Sequence, residues 1–314
     1  MKPPRRGLAP LFRFACLWLV ASSAGAVTPR AYVSVSGSDA NTCSDPATPC
    51  RTFVGAIAQV ASGGEVLVLT SGTFGGGTIA KSVTINAPAG VVAVVATPII
   101  VNAASAVVTL RGLTFVAPTP GSDTALTFSG GAGLNIENTV IHGWGTGILF
   151  TANAKLSVVD TTVRDNSGVG IRVLPPSGGG FGETAQASIE RTRLLRNGTG
   201  LQAVDTTRAT IKDSLVAGNG VGVYSFANEA STQVNIENCV LTHNSTGAWA
   251  TSYFGGGTIR ISNSTVTNNT VGLHAVGVLG FPAGTLLSDG TNTIEGNGIN
   301  IETASGTTGT YTAK

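Results

Sequence analysis

One short phrase recurs between Leu134 and Ile301, and it limits what this chain can fold into more than any other feature. It reads Asn138-Thr-Val-Ile, Asp160-Thr-Thr-Val, Asp213-Ser-Leu-Val, Asn238-Cys-Val-Leu and Asn263-Ser-Thr-Val. Arg191-Thr-Arg-Leu is a looser copy, and the stretch from Thr291 to Ile299 a looser one still. After each phrase come a turn and a Gly followed by an apolar residue, as in Gly147-Ile148, Gly170-Ile171, Gly200-Leu201, Gly222-Val223, Gly247-Ala248 and Gly272-Leu273. The opening residue returns after 22, 31, 22, 25, 25 and 28 residues. Short β-branched runs alternating with polar turns at such a period are the pattern of a solenoid.

The alternation within each run selects the kind of solenoid. In Leu134-Asn-Ile-Glu-Asn and Val234-Asn-Ile-Glu-Asn the apolar residues are two apart, so they face one side of a strand. No 3.6-residue stripe and no Leu-x-x-Leu-x-Leu pattern appears, which excludes helical and leucine-rich repeats. The expected fold is all-β: a parallel β-helix whose coils stack ~4.8 Å apart. Stacking predicts a column of asparagines, because Asn166, Asn197, Asn219, Asn244, Asn269 and Asn297 each lie six residues after an opening position. Their amides can donate from coil to coil and cap turn carbonyls, and Asn tolerates a left-handed turn backbone. With 43 Gly in 314 residues and only 11% charged residues, the composition suits one long repeat domain.

Residues 1–26 read as an export signal. Lys2, Arg5, Arg6 and Arg13 precede a short apolar run, and Ala24-Gly25-Ala26 supplies small residues for cleavage before Val27. The run is too short to span a bilayer, so no membrane span is expected and the protein is placed in the periplasm or outside the cell. Without the signal, 14 basic residues face 16 acidic ones, a net charge of −2. That excess gives phosphates no attracting field, and a nucleic-acid partner is not expected. Cys43 and Cys50 bracket six residues, and in an oxidising compartment they are expected to form a disulfide. No metal site or other cofactor is expected. Cys239, inside a repeat, reads as a buried free thiol.

Ahead of the repeats, Thr52 can cap a helix whose apolar face is Phe53, Ala56, Ile57 and Val60, ending at Ser62-Gly63-Gly64. An amphipathic helix here would plug the open end of the solenoid. The Tyr32-Val-Ser-Val-Ser-Gly-Ser-Asp39-Ala-Asn41 opening, the Pro49-Cys-Arg-Thr-Phe53 helix start and the Gly63-Gly-Glu-Val-Leu-Val-Leu69 strand resemble the N-terminal cap of bacterial secreted right-handed parallel β-helix proteins of the pectate-lyase-like superfold. The resemblance implies a right-handed β-helix with an N-terminal capping helix, and a polysaccharide ligand; it does not by itself imply an activity. The expected organisation is a cap over 27–64, coils over 65–303 and a fraying tail over 304–314, in a monomer.

The strand after each repeat Gly would point Ile148, Ile171, Leu201, Val223, Ala248 and Leu273 inward. Leu149, Arg172, Gln202, Tyr224, Trp249 and His274 would then form one outer file. Aromatic faces rising coil by coil suit the apolar faces of sugar rings, and Arg172 and Gln202 suit hydroxyls or a uronate. The same file could instead be a stack that merely covers the sheet. A second file runs Glu137, Val159, Glu190, Lys212, Glu237 and Ser262, where Lys212 could bridge both neighbouring glutamates. Arg191, Arg193, Arg196 and Arg208 gather around one coil and could hold an acidic glycan unless Asp160, Asp165, Asp205 and Asp213 neutralise them. His142 is expected to decorate a turn. No coil carries adjacent carboxylates for a calcium site. If the chain is a catalyst, Arg172, Tyr224 and His274 with Asp205 are the candidates for a base and its partners. Three functions therefore stand: binding of an extracellular or cell-wall polysaccharide, a uronate lyase on the same face, or a structural or adhesive surface module without carbohydrate activity.

Overall fold

The structure, a computed structural model, describes residues 27–176, 184–277 and 283–311. The expected export signal and residues 177–183 lie outside the described residues. Each regular coil contributes one strand to each of three sheets. In one coil these are Lys155–Val159, Thr162–Arg164 and Val169–Val173. The next coil repeats the pattern with Ala185–Glu190, Arg193–Leu195 and Thr199–Val204. Among the described residues the first sheet has 12 strands and the other two 10 each. Neighbouring strands pair in parallel, so the chain is a parallel β-helix.

The register stacks equivalent residues directly over one another. Ile136, Val158, Ile189, Ile211, Ile236 and Ile261 form one inward file, each partnered with the next. All six are buried to within 1%, and burying a side chain of this size contributes ~1.5–3 kcal/mol. The two-residue alternation read from the sequence is thus the alternation between core and surface.

The two tight turns of each coil divide their tasks between residues. Between the first and second sheets, the opening residue takes a left-handed backbone: φ is 48° at Asn138, 50° at Asp160, 44° at Arg191, 50° at Asp213, 49° at Asn238 and 48° at Asn263. Asn and Asp tolerate this region best. Arg191 is the exception, and its guanidinium is held 2.8 Å from Asp160 one coil away. The residue after the opening one is buried and forms a hydroxyl ladder that sequence reading missed. The Thr139 N–H donates to Thr161 Oγ1 at 3.3 Å, Thr192 N–H to Ser214 Oγ at 3.0 Å, and Cys239 N–H to Ser264 Oγ at 3.0 Å.

The asparagine column forms as expected, with one correction. Asn166 Nδ2 donates to Asn197 Oδ1 at 2.8 Å, and the series continues through Asn219, Asn244, Asn269 and Asn297 at 3.1, 2.9, 3.0 and 2.9 Å. The left-handed conformation expected at these asparagines falls instead on the residue before each: Asp165, Arg196, Gly218, His243, Asn268 and Gly296. That residue turns the chain, which leaves the Asn amide aimed along the solenoid axis.

The helix spans Phe53–Gln59, and Thr52 accepts the Gly55 N–H at 3.0 Å. Phe53 and Ala56 are buried, and Phe53 lies 5.4 Å from Phe74 in the first coil. The helix ends at Gln59, short of the expected stop at Ser62-Gly63-Gly64. Val60 opens the strand Val60–Val68, and Ser62-Gly63-Gly64 lies within that strand. Thr28–Val33 pairs with Val60–Val68, so this N-terminal segment extends the first sheet. Cys43 and Cys50 form the expected disulfide, with Cα atoms 5.2 Å apart. Within the expected tail, Thr307–Thr310 pairs with Thr285–Ser288 and adds a last strand to the first sheet.

Candidate functional site

The third sheet brings the expected surface file together. Leu149, Arg172, Gln202, Tyr224, Trp249 and His274 are consecutive register partners, and all six are half-buried. The inward residues beside them are buried. The file continues to Glu302, the partner of His274, whose Oε2 lies 3.0 Å from His274 Nδ1. Glu302 was missed because the repeat phrase is no longer legible there.

The rings, however, do not offer their faces. Tyr224 and Trp249 have centroids 5.1 Å apart with planes 30° from parallel, and Trp249 and His274 are 5.2 Å and 26° apart. Side chains leaving adjacent parallel strands in one direction pile up at the strand spacing, so each ring covers its neighbour. The expected ladder of sugar platforms is therefore a stack that points its edges outward. Arg172 Nε, Trp249 Nε1 and His274 Nε2 are shielded from solvent and have no hydrogen-bond partner.

Two exposed aromatic side chains lie at the side of this stack. Phe226 lies 5.6 Å from Tyr224, and Tyr253 stands edge-on to Phe226 at 5.6 Å and 88°. Tyr253 is 44% exposed and Phe254 61%. Both sit on the loop between the third and first sheets, and that loop is braced. Its Tyr253 and Phe254 N–H groups donate to Ala227 O at 2.8 Å and Asn228 O at 3.2 Å in the loop one coil earlier. Gly255 packs so closely that a Cβ there would lie 2.3 Å from the Ala230 carbonyl.

Asp205 organises the lower loop. Its Oδ1 accepts the N–H groups of Asn228, Glu229 and Ala230 at 2.8, 2.8 and 3.2 Å, and its carbonyl accepts the Thr232 hydroxyl at 2.7 Å. The residue is 7% exposed. Proposed from sequence as a catalytic partner of the file, it is placed in a turn where backbone donors occupy its carboxylate. The conflict has a simple origin: an Asp at a sharp turn finds several unpaired N–H groups before it finds a side chain.

The other charged groups also resolve. Lys212 pairs with Glu237 at 3.3 Å, while Glu190 is met by Arg191 at 3.4 Å, so Lys212 does not bridge two glutamates. The arginine cluster disperses over different faces. Arg191 binds Asp160 and Arg196 binds Asp165, each within 2.8 Å, while Arg193 sits on the second sheet and Arg208 on the first. The Arg196 hydrogen bond holds Asp165 below the ordinary carboxylate range against a smaller opposing effect of burial, with Arg164 adding to it. His142 lies in the strand Val140–His142 and not in a turn; burial pulls its pKa down, and Arg164 pulls it further. Among the described residues no three His, Cys, Asp or Glu side chains converge as metal ligands, and no helix is long and apolar enough to cross a membrane.

Residues 98–299 match the family model described as the right handed beta helix region. Among solved structures, a pectate lyase, Pel9A, is similar at 13% identity and a TM-score of 0.44, over 92% of this chain and 78% of its own. The GH136 lacto-N-biosidase of Eubacterium ramulus is similar at 11% identity and a TM-score of 0.37, over 90% and 68%. Identities and scores this low say nothing about activity. No curated protein matches the chain.

Proposed function

The chain belongs to the right-handed β-helix family, and on that scaffold we propose that it binds an extracellular or cell-wall polysaccharide along its third sheet. The observation that carries this reading is Tyr253: a 44% exposed ring in T-shaped contact with Phe226, on a loop braced from the coil before. A pyranose stacks on a ring of this kind. The neighbouring file supplies edges and polar groups, with Gln202 placed to meet sugar hydroxyls. The Cys43–Cys50 disulfide supports export to an oxidising compartment. Binding without turnover is favoured over lyase chemistry, because His274 Nε2 is shielded and Asp205 is committed to backbone N–H groups.

The test is a glycan array on the purified protein, followed by an assay for unsaturated products on any hit. Tyr253→Ala and Phe254→Ala should each weaken binding about tenfold, equivalent to ~1.4 kcal/mol. Trp249→Ala should weaken it less, since that ring is covered. Undiminished binding by both loop variants would remove this site. An array without hits, combined with retained adhesion to cells, would favour the structural or adhesive module.

A further inference from the structure

The two ends of the solenoid are finished differently. At the N-terminal end the chain folds over the outermost strand of each sheet. Thr28–Val33 is outermost in the first sheet, and the disulfide segment lies along it. The Tyr32 N–H donates to Cys43 O at 2.8 Å, and the Cys50 and Ser34 N–H groups donate to Tyr32 O and Cys50 O at 2.8 and 2.9 Å. Gly77–Ile79 is outermost in the third sheet and lies against the helix, where a Cβ at Gly77 would come within 2.5 Å of Val54 Cγ2. Gly72–Thr73, outermost in the second sheet, meets Val35 in the same way. The first-sheet strand also carries Pro29 and Arg30, residue types that discourage the addition of a further strand.

At the opposite end the outermost strands are Thr307–Thr310 in the first sheet, Thr293–Ile294 in the second and Ile299–Ala304 in the third. Among the described residues no strand pairs with their outer edges. The Thr307 N–H donates to Gly284 O at 2.9 Å and the Tyr311 N–H to Ser288 O at 3.1 Å, both toward the coil before. Alternate residues of a parallel strand serve opposite neighbours, so Thr308 and Thr310 turn their backbone groups to the open side. All four residues of this strand are exposed, and none is charged or a proline. The interior is open here too. Ile301 continues the inward file from Leu273, yet it is 49% exposed where Leu273 is 2%. Thr308 and Thr310 take the inward positions beside Leu286 and Ser288, so the end tolerates water until it pairs.

We propose that this end is an interface at which two copies of the chain meet, across a two-fold axis perpendicular to the solenoid axis. The occupant follows from the ends themselves. Three strand edges around an apolar interior need a partner with three edges in the same arrangement, and one extended peptide would satisfy only one of them. The N-terminal end of another copy does not serve, because its edges are already covered. Like ends therefore meet, and the assembly closes at two. The two-fold sets Thr307–Thr310 antiparallel to its own copy, a pairing of two neutral strands. It sets each third-sheet edge against the second-sheet edge of the other copy. The two Glu302 side chains, each 3.0 Å from its own His274, then lie on strands that do not pair with each other. Ile301 is withdrawn from water in both copies. Such a dimer departs from the monomer expected from the sequence, and it does not depend on the carbohydrate reading of the third sheet.

The experiment is sedimentation equilibrium on the purified protein over a concentration series reaching ~1 mM. The wild type should pass from monomer to dimer and stop there. Thr308→Lys with Thr310→Lys places like charges on the pairing edge and should weaken dimerisation about tenfold or more. Tyr253→Ala should leave it unchanged. Both threonines are exposed, so thermal melts of the double variant in dilute solution should superimpose on the wild type. Hydrogen exchange supplies a second readout: the Thr308 and Thr310 amides should slow as concentration rises, while those of Thr28–Val33 should not. A wild type that stays monomeric, a dimer indifferent to the two lysines, or masses that keep growing beyond two copies would each overturn the proposal. A monomeric wild type that instead takes up an added extended peptide, with the same two amides protected, would overturn the choice of a second copy as occupant.

Discussion

Asn244 sits in the middle of the amide ladder, and its replacement by Ala tests the geometry of the whole fold. Its Nδ2 donates to Asn269 Oδ1 at 3.0 Å and to Val216 O at 3.1 Å. Its Oδ1 accepts the Asn219 backbone N–H and Asn219 Nδ2, both at 2.9 Å. All four hydrogen-bonding positions of the amide are occupied, and the residue is 3% exposed. Truncation removes four bonds worth ~1 kcal/mol each and leaves the buried Asn219 N–H unpaired, which costs a further ~1 kcal/mol or more, so Asn244→Ala should destabilise by about 4–6 kcal/mol. Asn269 Oδ1 and Asn219 Nδ2 keep other partners, the Asn244 N–H and Leu194 O respectively, which limits the damage. Asn297→Ala should cost only ~1 kcal/mol, because that residue is half-buried and water can replace its bonds. Urea unfolding, with hydrogen exchange to localise the effect along the coils, gives both values. Equal costs at Asn244 and Asn297, or a cost below ~1 kcal/mol at Asn244, would refute the view that the buried amides form one continuous ladder.

Three further outcomes follow from the surroundings of particular groups. Cys239 occupies a hydroxyl position: its Sγ lies 3.1 Å from Glu237 O, and its N–H donates to Ser264 Oγ. Cys239→Ser should therefore be neutral or stabilising by up to ~1 kcal/mol, whereas Cys239→Val should cost ~1–3 kcal/mol, read from the same urea curves. Burial pushes the Cys239 thiol up to about 11, so a thiol reagent at pH 8 should label it only in denaturant. Asp39 anchors the helix start by accepting the Arg51 and Thr52 N–H groups at 2.8 and 2.9 Å. Burial raises its pKa, but the bonds from Thr52 and Arg51 outweigh that and leave it lowered. A lowered folded value means the stabilisation is complete above the unfolded carboxylate range and is lost as pH falls through the folded pKa. Asp39→Asn should accordingly flatten the acid limb of stability below about pH 4, measured by thermal melts across pH. Reducing Cys43–Cys50, whose sequence separation is 7, should cost ~2–3 kcal/mol and act mainly on the N-terminal segment, as hydrogen exchange would show.

The fold was readable because a β-helix writes its geometry into the sequence once per coil. The two-residue alternation and the six-residue interval from opening residue to Asn placed the core, the tight turns and the amide ladder correctly. The hydroxyl ladder was equally present, as Thr139, Thr161, Thr192, Ser214, Cys239 and Ser264, but small polar residues beside a turn look the same whether buried or solvated. The outer file of Arg172 to His274 was placed correctly for the same reason as the core. Its chemistry was not, because periodicity gives the direction of a side chain and says nothing of how a ring is tilted about it. Asp205 and Glu302 mark the other limit. One was drawn into a turn by backbone donors, and the other lies where the repeat has decayed, so neither role could be inferred from spacing.

The amide ladder also has a direction. From Asn166 to Asn269 one Nδ2–H of each amide donates to the Oδ1 of the following coil, and every Oδ1 faces the preceding one, starting with the Trp144 N–H that meets Asn166 Oδ1 at 3.0 Å. The second Nδ2–H of Asn197, Asn219, Asn244 and Asn269 goes back to a carbonyl one coil earlier. The dipoles therefore add head to tail along the axis, and each bond polarises the next. Such a row has unlike poles: its leading pole needs an acceptor and its trailing pole a donor. At Asn297 the acceptor is Asn300 Oδ1, 3.1 Å away on the same coil, which turns the row back on itself. A designer adding coils at that point would have to remove Asn300 and supply a fresh asparagine one turn beyond, because a coil grafted there in the reverse orientation would set donor against donor.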